Sequence, residues 1–193
     1  MRRFALGLLL PFAACSTQPA PLPTGEVAQS VALAADHNGV PRDLMLAIGV
    51  VEGGVRLQKV RIPDLEDHVP VAGVLELRHG AFDSLARGAA LMGTDELTLR
   101  ADTDLGTEAG ARVLAELGRQ TGARADDLAS WRAAVEQLSG MADYTARVRY
   151  GEDVFTILRA GGPFPARNGE SITIAAHPDL PIAPTGPLVE AAT

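Results

Sequence analysis

Residues 39–54 constrain this chain most, because they indicate a short apolar helix that ends on one carboxylate and two glycines. Pro41 suits the first turn of a helix, where its missing N–H costs nothing. Apolar side chains recur at helical spacing, which predicts a buried helix over 41–52. Glu52 then stands where the core reaches the surface. The glycines after it let the chain turn away without side chains that crowd the carboxylate.

Two interpretations of Glu52 are open from the residues alone. A carboxyl group held against apolar walls resists ionising, and a general acid requires that property. The same pattern arises where a glutamate without function precedes a glycine that ends a helix. We therefore treat Glu52 as a candidate catalytic residue.

Composition limits the class of protein. The 193 residues suffice for one domain with a sizeable core, and a formal net charge of −7 argues against nucleic acid as a partner. The histidines are scattered and there is one cysteine, so no zinc-binding spacing is present. We expect neither a metal nor a cofactor.

The amino terminus predicts an export signal over residues 1–14. Two arginines precede an apolar stretch that is too short to span a membrane permanently. Phe-Ala-Ala-Cys, ending at Cys15, is similar to a bacterial lipobox, in which the cysteine is lipidated and becomes the first residue. Ordinary signal cleavage after Ala14 is the alternative.

A proline-rich tether follows over residues 15–25. Acyl chains on Cys15 would anchor the domain to a membrane leaflet. Ser16, by analogy with lipoprotein sorting, favours the outer membrane. We therefore expect an exported lipoprotein of the bacterial cell envelope that faces the periplasm.

Helical periodicity predicts one mostly α domain over residues 26–162. The predicted elements, in order, are helices over 26–37, 41–52 and 81–92, a short turn at 95–99, and helices over 102–117, 128–138 and 141–159. Gly118 and Gly122 would end the fifth of them. Residues 53–79 predict a long loop or small hairpin after the helix that carries Glu52, and such loops are usually functional or mobile. Apart from one strand near 170–177, residues 163–193 predict an extended, largely disordered tail.

The order of these motifs resembles the lysozyme-like fold of the lytic transglycosylase (SLT) and goose-type lysozyme families. Gly-Val-Pro-x-x-Leu-x-x-Ala-Ile-x-x-x-Glu over 39–52 matches the helix that carries the family's catalytic glutamate, so the resemblance implies that Glu52 is the acid/base. The family has serine next, where Gly53 stands here. Its Gly-Leu-Met-Gln motif corresponds to residues 73–76, with Glu76 in place of the glutamine.

Three further motifs are kept in part. The family's Asn-Ile-x-x-Gly-x-x-Tyr-Leu corresponds to 106–114, where the glycine and leucine remain and the asparagine and tyrosine are lost. Its Ala-Tyr-Asn-Ala-Gly becomes Ser-Trp-Arg-Ala-Ala over 130–134. Its closing Tyr-Val-x-x-Val is kept loosely over 150–154. The chain is also similar to accessory regions of some N-acetylmuramoyl-L-alanine amidases.

The resemblance implies cleavage of peptidoglycan glycan strands between MurNAc and GlcNAc. In a lytic transglycosylase the sugar's own 6-hydroxyl attacks the anomeric carbon, so one glutamate, here Glu52, can act first as acid and then as base. The candidate substrate-binding residues are Glu76, Arg78, Trp131 and Tyr150. The alternatives are core packing for Trp131, helix packing for Tyr150, and an exposed loop for Arg78 together with His79.

Other functions also stay open. The acidic run Asp64, Glu66 and Asp67 can supply a second carboxylate for hydrolysis, although such runs are usually solvated loop faces. A catalytically degenerate domain would instead bind the cell wall or serve as an accessory module of an amidase system. A helical lipoprotein of unrelated role is the third possibility. The expected partners are peptidoglycan, the membrane through Cys15, and a partner wall hydrolase.

Overall fold

The computed structural model describes residues 21–53, 71–166 and 168–183. Within these ranges the chain is mostly helical, as predicted, with a small two-stranded antiparallel sheet. The elements are α1 Glu26–Asn38, α2 Arg42–Glu52, α3 Ser84–Met92, α4 Glu96–Ala101, α5 Thr103–Thr121, a 3₁₀ turn Leu128–Trp131, α6 Arg132–Leu138, α7 Tyr144–Ala160, β1 Gly162–Pro165 and β2 Ser171–Ile174. None of the described helices combines the length and the apolar character that a membrane crossing requires.

Helices α5 and α2 form the centre of the helical body. α5 contacts α1, α3, α4 and α6, and it begins where the Asp102 carboxylate accepts hydrogen bonds from the backbone of Asp104 and Leu105. α2 contacts α1 and α7, and its residues 44–50 are all buried. A helix that is apolar on every side is stable only inside a core. α2 therefore carries Glu52 from the core to the surface.

Gly118, which we predicted as an end of the helix over 102–117, lies inside α5 instead. The helix ends only at Gly122, which takes a left-handed conformation with a φ of 76°. A Cβ atom at Gly118 would lie 2.6 Å from the ring of Trp131. The glycine is therefore needed for close packing of the indole and does not terminate the helix.

The strand predicted near 170–177 is found as β2, but the described residues on either side of it up to 183, which we expected to be extended tail, also pack against the helices. β1 and β2 form an antiparallel hairpin, and Ile172 and Ile174 are each 1% exposed. The Glu170 carboxylate accepts hydrogen bonds of 3.1 and 3.0 Å from two backbone N–H groups in the first turn of α1. The prolines from Pro178 onward had indicated extended chain, whereas the alternating isoleucines that predicted the strand give the hairpin a face that the core can bury.

Candidate functional site

Glu52 is the last residue of α2, and its side chain is only 8% exposed. Gly53 follows in a left-handed conformation with a φ of 82°, so the chain turns away directly after the carboxylate. Nη2 of Arg78 donates a hydrogen bond to Oε2 of Glu52. The sequence predicted apolar walls around this carboxylate, whereas the structure also places a cation on it.

A second carboxylate, that of Glu76, comes from a tight loop. The loop is closed by two backbone hydrogen bonds between Ala72 and Leu77, of 3.1 and 2.9 Å. Glu76 has a φ of 48°, and no other non-glycine residue in the described ranges has a positive φ. This conformation costs a residue with a Cβ atom about 1 kcal/mol or more. The loop therefore holds Glu76 against its own backbone preference.

The loop is seated on α5 by close backbone contact. A Cβ atom at Gly73 would lie 2.3 Å from the carbonyl carbon of Gly106. The backbone N–H of Val74 donates to the Thr107 hydroxyl at 3.1 Å. These contacts explain why small residues recur at the start of α5, and they fix the position of the loop beside the end of α2.

The Glu76 carboxylate lies close to Gly53. Its Oε1 is 4.0 Å from the position that a Cβ atom would take at Gly53, so the two glutamates flank the same turn of chain. Burial raises the pKa of Glu76 to about 7. Within the described ranges no donor or cation contacts this carboxylate.

Arg78 ties the loop to the end of α2. Its backbone N–H donates to the hydroxyl of Ser84 at 3.0 Å, and that hydroxyl donates to the Arg78 carbonyl at 3.1 Å. Its Nε donates to the main-chain oxygen of Glu76 at 3.2 Å, while Nη2 reaches Glu52. Ser84 is 2% exposed and was missed by the sequence analysis, because no local motif marks a serine that anchors a loop.

Tyr150 on α7 is the fourth residue of the site, beside Glu52, Glu76 and Arg78. It is 6% exposed, and its hydroxyl has no hydrogen-bond partner in the described part of the chain. Burial raises the pKa of Tyr150, and so does Glu76, while Arg78 opposes the shift. The hydroxyl therefore stays protonated, and a buried donor without an acceptor is uncommon in folded proteins. We call Glu52, Glu76, Arg78 and Tyr150 the carboxylate cluster.

Trp131 does not join the carboxylate cluster. It is 4% exposed, and its indole N–H donates to the main-chain oxygen of Arg124 at 2.7 Å. The other side of the ring packs on Gly118. A ring enclosed in this way has no free face for stacking on a sugar, so the position supports a core role and not the predicted substrate contact. Cys15 and the acidic run Asp64–Asp67 lie outside the described residues.

His79 belongs to a separate charge network. Its Nδ1 lies 2.7 Å from Asp83 Oδ2 and its Nε2 lies 3.1 Å from Glu96 Oε2. The three side chains are close enough to hold a metal ion with one ring nitrogen and the two carboxylates, although exposed acidic groups commonly cluster without one. Nη2 of Arg100 lies 3.3 Å from Glu96 and already supplies positive charge. The hydrogen bond to Asp83 raises the pKa of His79, and ion pairing accounts for the whole network.

The carboxylate cluster combines an ion-paired carboxylate, a carboxyl that titrates near neutrality, and a phenol donor. Such a set can transfer a proton while it stabilises positive charge on a substrate. Comparisons with protein-family models, with curated proteins and with solved structures found no match to this chain.

Proposed function

We propose that this chain cleaves the glycan strands of peptidoglycan at the carboxylate cluster. One observation carries the proposal: two glutamates flank Gly53 in unlike surroundings, since Glu52 is paired with Arg78 while the half-buried Glu76 carboxylate has no partner among the described residues. Glycosidases obtain a proton donor and an ionised carboxylate by placing two carboxyl groups in different environments. Glu52 and Glu76 offer two such different environments in this chain.

The reaction is of the lytic transglycosylase type. The bond between C1 of MurNAc and the O4 of GlcNAc breaks, and O4 takes a proton from the enzyme. The 6-hydroxyl oxygen of the same MurNAc bonds to C1, and its proton returns to the enzyme. The product is a 1,6-anhydro sugar and no water is consumed, so one carboxyl can serve both steps. The family resemblance gives this role to Glu52.

The test is digestion of purified sacculi by the full chain, with the soluble products analysed by mass spectrometry. We expect 1,6-anhydro muropeptides from the wild type and none from Glu52→Gln. Glu108→Gln is the matched control, because Glu108 bonds Asn38 and Arg112 on the surface and is outside the cluster. Reducing-end products would indicate a hydrolase, and products from Glu52→Gln would remove Glu52 from the mechanism.

A second candidate function is a wall-binding or accessory module of an amidase system. The Arg78–Glu52 ion pair favours it, because a carboxylate bonded to guanidinium is a poor proton donor. This candidate predicts that wild type and Glu52→Gln both sediment with sacculi and that neither releases soluble products.

The proposed substrate also suits the expected location. A chain lipidated at Cys15 and tethered over residues 15–25 would hold the domain at the outer membrane, within reach of the wall. Labelling cells with a clickable fatty acid tests this directly. We expect the label on the wild type and not on Cys15→Ser.

A further inference from the structure

The carboxylate cluster contains two groups that can carry the proton for glycan cleavage, Glu52 and Glu76. The family resemblance favours Glu52, but the contacts around the two carboxylates differ. The charged and titratable groups that the described structure places near Glu76 are Arg78, which donates to its main-chain oxygen, and Tyr150, whose pKa it raises. Glu52 precedes Gly53, whose Cβ position lies 4.0 Å from Oε1 of Glu76. The contacts of each carboxylate decide which one holds the proton.

Glu52 is placed to remain ionised. A guanidinium has only N–H donors, so its bond to Oε2 requires a lone pair on that oxygen. Charge-assisted hydrogen bonds of this kind favour the carboxylate form. Transfer of a proton from Glu52 would first require that this carboxyl be protonated beside a permanent cation, at a position where the Glu52 side chain is only 8% exposed.

Glu76 is placed to hold a proton. Arg78 donates to the main-chain oxygen of Glu76 at 3.2 Å and to Glu52, and neither bond reaches the Glu76 carboxylate. Burial is the cause that raises the pKa of Glu76 to about 7, so both protonation states are populated near neutrality. A general acid that becomes a base within one cycle works best at such a value.

The backbone supports the same assignment. Glu76 keeps a φ of 48°, which glycine or asparagine would adopt at lower cost. Strained backbone concentrates at functional sites, where the surrounding structure holds it. Holding this side chain next to the turn that follows Glu52 thus lowers the stability of the loop. The Tyr150 hydroxyl, which has no hydrogen-bond partner among the described residues, is buried close enough to Glu76 for that carboxylate to raise its pKa.

We infer that Glu76 is the proton donor of the cluster and that Glu52 stays an ionised carboxylate positioned by Arg78, an inference that rests on the proposed glycan cleavage. Glu76 gives its proton to the departing O4 as the C1–O4 bond breaks. It then takes the proton of the 6-hydroxyl as the C1–O6 bond forms, and it is restored. The Glu52 carboxylate stabilises the positive charge that develops at C1.

The decisive variant is Glu76→Gln, because it restores the amide that the family motif has at this position. If Glu52 were the donor, this variant would keep its activity on sacculi. If Glu76 is the donor, we expect release of anhydro-muropeptides to fall by at least about 100-fold, the usual contribution of a general acid.

Chitotriose with a 4-methylumbelliferyl leaving group separates the two roles, because this leaving group departs without a proton. In the first turnover, where release of the fluorophore precedes the base step, Glu76→Gln should keep its rate within about tenfold of the wild type, while Glu52→Gln should lose at least about 100-fold on both substrates. Glu76→Asn is a second variant, since asparagine tolerates the left-handed conformation if the glutamine variant folds poorly. Circular dichroism and Glu108→Gln serve as controls for folding.

The failures are distinguishable. A wild type that releases no product from sacculi overturns the proposed function and the inference with it. An active wild type together with an active Glu76→Gln, within about threefold, overturns only the inference and returns the proton to Glu52. Equal losses of Glu76→Gln on sacculi and in the first-turnover release from the aryl substrate also overturn it, because that release needs no proton donor.

Discussion

The guanidinium of Arg78 is hydrogen-bonded to the carboxylate of Glu52, which joins the loop after residue 70 to the carboxyl end of α2. The two residues are separated by 26 positions in the chain, and their side chains are 29% and 8% exposed. An ion pair this well shielded fixes the carboxylate in one orientation. The ion pair therefore gives Glu52 a structural role in addition to its candidate catalytic role.

We therefore predict strong energetic coupling between Glu52 and Arg78. Glu52→Gln and Arg78→Gln should each lower the free energy of unfolding by about 1–3 kcal/mol, with a coupling energy of about 1 kcal/mol or more in the double variant. Urea unfolding of the four proteins measures it. The pair Glu108–Arg112, an i,i+4 ion pair of 3.2 Å on the surface, is the control and should couple by less than about 0.5 kcal/mol. Equal coupling in the two pairs would contradict the prediction.

The contact of Gly73 with Gly106 predicts a large effect of one added methyl group. Gly73→Ala would place a Cβ 2.3 Å from backbone atoms and should lower the free energy of unfolding by about 2–4 kcal/mol. Gly39→Ala is the matched control: the φ values are 68° and 67°, but nothing lies within 4 Å of a Cβ at Gly39. That variant should lose only the backbone cost of about 1 kcal/mol. Similar losses in the two variants would show that the loop is not seated on α5 in this way.

Local sequence patterns predicted the helices well. The helix predicted over 41–52 is found as Arg42–Glu52, and the one predicted to start at 102 or 103 is found as Thr103–Thr121. In both cases the signals act within a few residues: an apolar period and a glycine that accepts a left-handed φ, with Pro41 at the start of α2 and the Asp102 cap at the start of α5. The mostly α class of the domain follows from many such local signals.

The site could be predicted only in part, because its contacts join distant parts of the chain. Glu52 was marked by the glycines after it, but nothing near it marks Arg78 as its partner. Glu170 binds the start of α1 across a separation of 142 residues, which no periodicity encodes. For Trp131 two interpretations were open, and its burial agrees with the apolar stripe, which indicated the core, more than with the family motif, which suggested substrate contact.

The contacts of Glu152 show how the last described residues, 181–183, are held against the helices. Its carboxylate accepts a 2.9 Å hydrogen bond from the backbone N–H of Ala183 and pairs with Arg132 and Arg159. Both arginines also donate to the main-chain oxygen of Pro181, at 2.7 and 3.2 Å. This single carboxylate therefore orients the cations that bind the segment 181–183.

Glu152→Gln should release that segment while the helices stay folded. We expect the amide of Ala183 to exchange its hydrogen roughly tenfold faster, since the charge-assisted acceptor is lost. Hydrogen exchange followed by NMR gives the rate for this amide. Glu116→Gln removes a similar surface charge, paired with Arg87, and should leave the exchange of Ala183 unchanged. Unchanged exchange in Glu152→Gln would mean that other contacts hold the segment.

The raised pKa of Glu76 predicts how the free energy of unfolding changes with pH. Its pKa is raised from 4.5 to about 7 in the folded protein, so the folded state binds more protons than the unfolded state between these values. The stability that Glu76 contributes is thus present below about pH 4.5 and is lost as the pH rises through 7. Between pH 5 and pH 8 the wild type should lose about 1–3 kcal/mol of unfolding free energy relative to Glu76→Gln, which cannot titrate. Urea unfolding of both proteins at the two pH values measures the difference, and all other titrating groups cancel in the comparison. Parallel pH profiles of the two proteins would show that the pKa of Glu76 is the same in the folded and unfolded chains. They would also show that the half-buried Glu76 carboxyl does not hold a proton near neutrality.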